Sequence, residues 1–380
     1  MSEIINNNLN DVNTEKLSMV MESLNKLNNK KSKFLFCIPE SQNPVASVYE
    51  LYFHATVVKR MGFDVYILVE NDGYKIPDWI ETELTDFKHL PMTNTGLNVG
   101  AEDFIIIPEV FTNVMEHVKT LPCHKIAFVQ SLDYMYNSLL PGIDLSLFNI
   151  RDIITTSQIL KETLENFYGV NKFNIYTYNI GIPDYFKKSD LPQKPIISII
   201  GRNPNEISKF VKLFYSKYPH YNWISFDPML TKSKPPQQMR RIDFANRLRE
   251  NFAAVWIDRI SNFGTFPLEC MKSGVIPICL LPDIVPEYII ERNEENKPVK
   301  IKDNVGIWTN NFYDLPIITG ELITKFLDDN IEQSIYTEMD LVASKYTQEE
   351  SQKMLIDLYT SFINQRKMLF ESALNNNNNE

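Results

Sequence analysis

The chain has 380 residues, 44% of them apolar and 23% charged, with a net charge of −10. That length exceeds one ordinary core and suits two domains of about 150–200 residues each, with the composition of a soluble globular protein. The acidity argues against wrapping a long nucleic acid, and no apolar run approaches the ~20 residues needed to span a bilayer. The start, MSEIINNNLNDVNTEK, is polar and acidic, which fits neither a signal peptide nor a transit peptide. Cys37, Cys123, Cys270 and Cys279 are scattered, three of them in apolar segments, and read as buried free thiols of a reducing, cytoplasmic compartment. No CxxC, HxxxH or HExxH spacing occurs, so no metal site is expected.

Residues 1–30 form a polar, asparagine-rich segment without a packing pattern. Lys33–Pro39 is an apolar run and predicts a buried strand. Val48–Met61 carries helical spacing and ends at Gly62, a fitting residue just past a helix. Asp64–Val69, Asp103–Pro108 and Lys125–Gln130 predict further strands, with a helix over Thr112–Leu121. Asp152–Thr156 is another strand, and Ser157 caps a helix over Gln158–Tyr168. His54 falls on the apolar side of its helix and reads as a packed histidine. This alternation predicts a mostly parallel sheet covered on both faces, spanning residues 31–185.

The alternation restarts after a proline- and lysine-bearing linker at about 182–194. Ile196–Ile200 is a fully apolar strand, followed by Gly201-Arg202 and a helix from about Glu206. Asn222–Phe226 and Ala253–Ile257 predict strands on either side of a helix within Met239–Asn251, and Asn304–Trp308 a further short strand. A second doubly wound domain is therefore expected over 186–345, then a helical segment over 346–374 and a polar tail, 375–380. Two such domains place a crevice between them, at the carboxyl ends of their strands. The dinucleotide fingerprint G-x-G-x-x-G, the P-loop and the G-x-S-x-G nucleophile elbow are all missing. The histidines lack Ser, Cys or carboxylate partners at a recognisable spacing, which disfavours a triad hydrolase.

Residues 256–278, WIDRISNFGTFPLECMKSGVIPI, carry the most chemistry. They read as a strand end, a polar loop through Phe263, Gly264 and Thr265, and a short helix bearing Glu269. Loop amides and the positive end of a helix dipole meet there, a ready site for phosphate. Glu269, one turn on, is placed to accept hydrogen bonds from a ribose diol. Arg202 emerges at another strand end, after Gly201, where a cation would stabilise a departing diphosphate. Residues 187–249 hold thirteen Lys/Arg against four Asp/Glu, which suggests either a polyanion site or a solvated helix face.

These segments resemble the donor site of retaining GT-B glycosyltransferases, specifically over 196–290 and in architecture elsewhere. The resemblance implies an α/β, GT-B fold: two Rossmann-like domains facing a cleft, with a C-terminal helix crossing back to the first domain. It implies that Arg202 and Lys209 grip the donor diphosphate, although Lys209 lies slightly beyond the usual spacing. It implies that the amides of Phe263, Gly264 and Thr265 hold phosphate, that Glu269 binds ribose, and that Gly201 and Arg240 flank the nucleotide. The family has a first glutamate eight positions before the second; here Ser261 stands there, so Ser261 and Asp258 become the candidates for the sugar contacts.

The first domain is expected to supply the acceptor side from strand ends: Glu40 and Ser41, Glu109, Gln130 and Asp133. A nucleotide-sugar, UDP-glucose for example, is the implied donor, with retention at the anomeric carbon and no metal or other cofactor. The departing phosphate itself takes the acceptor proton in that mechanism. The chain is also similar to glycosyltransferases of phages and gut bacteria, some of which modify bases in DNA, so DNA stays among the candidate acceptors. A non-catalytic nucleotide-sugar binder and a UDP-sugar 2-epimerase are the alternatives.

Overall fold

Strands buried on both faces of a parallel sheet need unbroken apolar runs, and this chain supplies them twice. In the computed structural model, residues 32–377 are described, apart from 42–44, 78, 82–83, 85, 94–95, 191–192 and 229–238. The expected polar N-terminal segment, the end of the tail and the Gln42–Pro44 loop therefore lie outside the described residues.

The first unit runs β1 (Lys33–Cys37), α1 (Ala46–Arg60), β2 (Asp64–Val69), β3 (Lys88–Pro91), β4 (Phe104–Pro108) and α2 (Thr112–Val118). It continues with β5 (His124–Val129), α3 (Leu132–Ser138), β6 (Asp152–Thr155), α4 (Gln158–Tyr168) and β7 (Asn174–Thr177). Its seven strands are ordered β3-β2-β1-β4-β5-β6-β7 and all pair in parallel. Chain direction across the sheet therefore reverses between β1 and β4, and Glu40 after β1 and Glu109 after β4 follow the strand ends at that point.

The second unit runs β8 (Lys194–Gly201), α5 (Pro204–Lys217), β9 (Ser225–Pro228), α6 (Arg241–Leu248), β10 (Asn251–Ile257), α7 (Thr265–Lys272) and β11 (Ile276–Leu280). A small antiparallel pair, β12 (Ile290–Arg292) and β13 (Pro298–Ile301), precedes β14 (Ile307–Thr309). The parallel order β14-β11-β10-β8-β9 puts its reversal between β8 and β10. Gly201 sits there because a side chain would not: a Cβ would stand 2.8 Å from the Ile257 carbonyl oxygen.

Three helices close the chain: α8 (Leu315–Leu327), α9 (Gln333–Ala343) and α10 (Gln348–Asn377). The last returns to the first unit and packs on α1 and its sheet. His54 Nδ1 and Tyr359 Oη share a hydrogen bond at 2.9 Å, Arg366 Nε donates to the Ala101 carbonyl at 2.9 Å, and Phe34 meets Tyr359 edge-on. His54 is fully buried, and burial lowers its pKa to about 3, so it packs as a neutral ring. All four cysteines are buried and free. No helix among the described residues is long and apolar enough to cross a membrane.

The strand expected over Asn222–Phe226 lies over Ser225–Pro228, because Pro219–Tyr221 forms a 3₁₀ turn that delays it. That expected at Asn304–Trp308 lies over Ile307–Thr309, after a turn through Asn304 and Gly306 at positive φ. Strands β3, β7, β12 and β13, helix α3 and the helices α8 and α9 are additions to the sequence reading.

Candidate functional site

Strands β8 and β10 end side by side, with Ile257 registered on Gly201, so Arg202 and Asp258 leave the sheet as neighbours. Arg202 Nε donates to Asp258 Oδ2 at 2.7 Å, and its Nη2 donates to Ser261 Oγ at 2.9 Å. Its Nη1 donates to the Tyr134 hydroxyl of the first unit, whose ring lies 5.4 Å from the guanidinium carbon. Asp258 is nearly buried and organises the loop: Oδ1 accepts the amides of Ile260 and Ser261 at 3.0 and 3.2 Å, and Oδ2 accepts the Ser261 hydroxyl at 2.7 Å. An aspartate holding the amides two and three residues on is a local turn device.

That turn delivers the chain to Gly264, in the left-handed region at φ 71°. A Cβ there would lie 2.9 Å from the Trp256 ring, and the Tyr288 hydroxyl donates to the Gly264 carbonyl at 2.7 Å, so only glycine fits. Helix α7 starts at Thr265, leaving first-turn amides without intrahelical acceptors. Glu269 follows one turn later, 6% exposed, and accepts from Arg241 Nη2 at 2.6 Å. The Arg241 guanidinium lies over the Tyr49 ring at 4.1 Å, a contact between the second unit and α1.

These groups line one cavity of about 170 Å³ between the units, walled by Arg241, Asp258, Ser261, Gly264, Thr265 and Glu269, with Trp256, Phe244, Tyr49 and Trp79 as apolar surfaces. The cavity thus combines a cation, a carboxylate beside a helix N-terminus, and flat aromatic walls. Such a lining suits a ligand with an anionic part, hydroxyl groups and a planar ring.

Asp258, Ser261, Gly264, Thr265 and Glu269 line the cavity, and Arg202 contacts two of them, Asp258 and Ser261. Other sequence candidates lie elsewhere. The Phe263 side chain is buried against Tyr288 and Tyr346, so only its backbone can serve the loop. Lys209 Nζ donates to the Tyr313 hydroxyl at 2.7 Å and lies over the Phe312 and Tyr313 rings, away from the lining. Arg240 is exposed and paired with Asp243 at 2.8 Å; its neighbour Arg241 faces the cavity instead, because α6 begins there. Glu40 accepts from the Asn71 amide and side chain at 2.6 and 2.7 Å, which braces the loop after β2, and Ser41 follows it half-buried.

Glu109 is turned inward. It is 3% exposed, its Oε1 accepts the Ser131 amide at 2.9 Å, and its Oε2 has no partner among the described residues. Burial pushes its pKa up to about 7. Gln130 donates to the Ser47 carbonyl at 3.1 Å, and Asp133 is half-buried in the first turn of α3. Ser131 and Leu132 cross to the second unit: Ser131 Oγ donates to the Ile260 carbonyl at 3.3 Å and the Leu132 amide to Asn262 Oδ1 at 2.7 Å.

Sequence reasoning passed over Tyr49, Trp79 and Trp256 as cavity walls. Aromatic residues in a helix, a turn or a strand carry no spacing signal that separates a cavity wall from a core. The basic stretch 187–249 is also more balanced in space than in sequence. Lys188, Lys194, Arg202, Arg240, Arg241 and Arg247 each have a carboxylate partner.

No protein-family model matches the chain, and no curated protein matches it. Solved structures do. The pneumococcal O-GlcNAc transferase GtfA, in complex with UDP and GlcNAc, superposes with a TM-score of 0.62 at 9% identity, over 88% of this chain and 99% of that one. TarM superposes with a TM-score of 0.62 at 10% identity, over 88% and 99%. A glycosyltransferase from Rickettsia africae gives 0.58 at 13% identity, over 89% and 99%. The chain has the GT-B fold of these proteins.

Proposed function

We propose that the protein is a glycosyltransferase that takes a sugar from a nucleotide-sugar donor held in the cavity between its two units. One observation carries this: the Gly264–Thr265 helix entrance, Glu269, and the Asp258 and Ser261 side chains that Arg202 holds meet around one cavity at the strand-order reversal of the second sheet. Open α/β sheets bind ligands at such reversals. The GT-B fold and the UDP in the GtfA complex support the nucleotide class.

In this reading the amides at the start of α7 and Arg202 hold the diphosphate, and Glu269 accepts the ribose hydroxyls. Arg202 is now neutralised by Asp258; a bound diphosphate takes over that role and frees Asp258 and Ser261 to face the sugar. Those two replace the carboxylate that the family carries at position 261. Charge builds on the leaving diphosphate as the glycosidic bond breaks, so Arg202 contributes most in the transition state. That phosphate accepts the acceptor proton on the same face, giving retention without a protein base or a metal.

The donor is UDP-linked, and the acceptor approaches from the side of Gln130, Ser131 and Asp133. A base in DNA is one acceptor class, and salt-sensitive retention of DNA by the protein is its test. Incubation with UDP-glucose, UDP-galactose and UDP-GlcNAc, followed by detection of UDP and free sugar, tests the donor reading. Slow release of UDP from one donor supports a transferase. Binding without release from any of them supports a non-catalytic binder instead.

A further inference from the structure

Glu269 does not stand alone in the cavity, and what holds it reaches beyond the site. Its Oε1 accepts from Arg241 at 2.6 Å, with both side chains about nine-tenths buried. The Arg241 guanidinium lies over the Tyr49 ring of the first unit, at 4.1 Å, and near Phe186 of the connecting segment, at 5.6 Å. The Tyr49 hydroxyl accepts from Gln348 Nε2 at 2.9 Å, and Gln348 is the first residue of α10. There the chain crosses itself between units: Ile182 bridges to Thr347, and a Cβ on Gly181 would stand 2.6 Å from the Gln348 Cα. Tyr49 also lines a second cavity, about 640 Å³, on the α10 side.

We propose that Arg241 is a positioning residue that aims the Glu269 carboxylate at the donor's ribose and, through Tyr49 and Gln348, ties that grip to the start of the C-terminal helix. This rests on the donor reading above. A lone carboxylate on a helix samples several rotamers, and the buried planar guanidinium removes that freedom before the ligand arrives. The ring that clamps the guanidinium belongs to the other unit. Occupation of Glu269 by hydroxyl donors therefore favours the arrangement in which Tyr49, Arg241 and Gln348 stay joined. A ligand that binds that arrangement better than any other shifts the population toward it.

The test combines calorimetry with hydrogen exchange on the full chain, using UDP as the probe. In the wild type, saturating UDP slows exchange of the amides 351–358 by roughly tenfold, since local opening of α10 becomes less frequent. Gln348→Ala binds UDP with an affinity within about threefold of wild type, but the slowing at 351–358 is lost. Arg241→Lys keeps the charge and loses the planar guanidinium over the Tyr49 ring, so UDP binding weakens by about tenfold or more and the slowing shrinks with it. UDP that binds the wild type without slowing α10, or full slowing in Gln348→Ala, overturns the proposal and leaves the donor reading standing. UDP that fails to bind the wild type contradicts both.

Discussion

Arg202 and Glu109 both stand just past the end of a strand, and their surroundings give them opposite roles. Arg202 is half-exposed at the cavity edge, held by Asp258, Ser261 and Tyr134. Arg202→Ala is expected to lower turnover on the order of 10²-fold at saturating donor, with an unchanged circular dichroism spectrum. Near-normal turnover removes it from the chemistry. Glu109 is buried, and its raised pKa, about 7, comes from desolvation. Its neutral form is the one the fold accommodates, so its contribution to stability is fully present below the ordinary carboxylate range and is lost as pH rises toward 7. Raising a carboxyl pKa by one corresponds to about 1.4 kcal/mol between its two protonation states. Glu50, buried against Tyr178 and also raised to about 7 by desolvation, adds a second loss of the same sign. Melting temperature is therefore expected to fall between pH 5 and 7, and Glu109→Gln flattens part of that slope. A wild-type curve that rises over this range contradicts the assignment.

At the scale of elements, the loop from Asp258 to Thr265 shows which parts of a site a sequence reveals. Its strand–loop–helix outline was legible because a strand end, a glycine and a short helix fall within ten residues. Its geometry also explains Gly264: positive φ together with the Trp256 and Tyr288 contacts. Gly264→Ala is expected to destabilise by about 1–3 kcal/mol and to weaken nucleotide binding, read by thermal melts with and without UDP. Strands such as Asp64–Val69 and helix Gln158–Tyr168 with its Ser157 cap stood where the pattern put them, since long apolar runs and a local cap fix them. Strand β3, KHLP by sequence, has no such run and exists because β2 offers it a partner edge. Arg240 and Arg241 make the same point for side chains. Only the start of α6 decides which arginine of the pair faces the cavity.

For the whole molecule, the two sheets follow from the repeated strand–helix rhythm and the return of α10 from the family resemblance, whereas the contacts that close one unit on the other are invisible in sequence. Arg292 is the clearest of these. It pairs with Glu287 at 2.8 Å and, across the interface, with Glu162 at 2.9 Å, while Glu287 Oε2 accepts the Ile159 amide at 2.9 Å. Arg292→Ala leaves two carboxylates facing each other and is expected to destabilise the closed arrangement by about 1–3 kcal/mol. Chemical denaturation that matches wild type contradicts a bracing role. The space between the units, in the reading proposed above, holds a nucleotide with its ribose on Glu269. Calorimetric titration of UDP into the wild type and Glu269→Gln tests it most directly. Saturable binding to the wild type is expected, with about tenfold lower affinity in the variant, the difference between a charged and a neutral acceptor. Equal affinities, or no binding to the wild type, would contradict it.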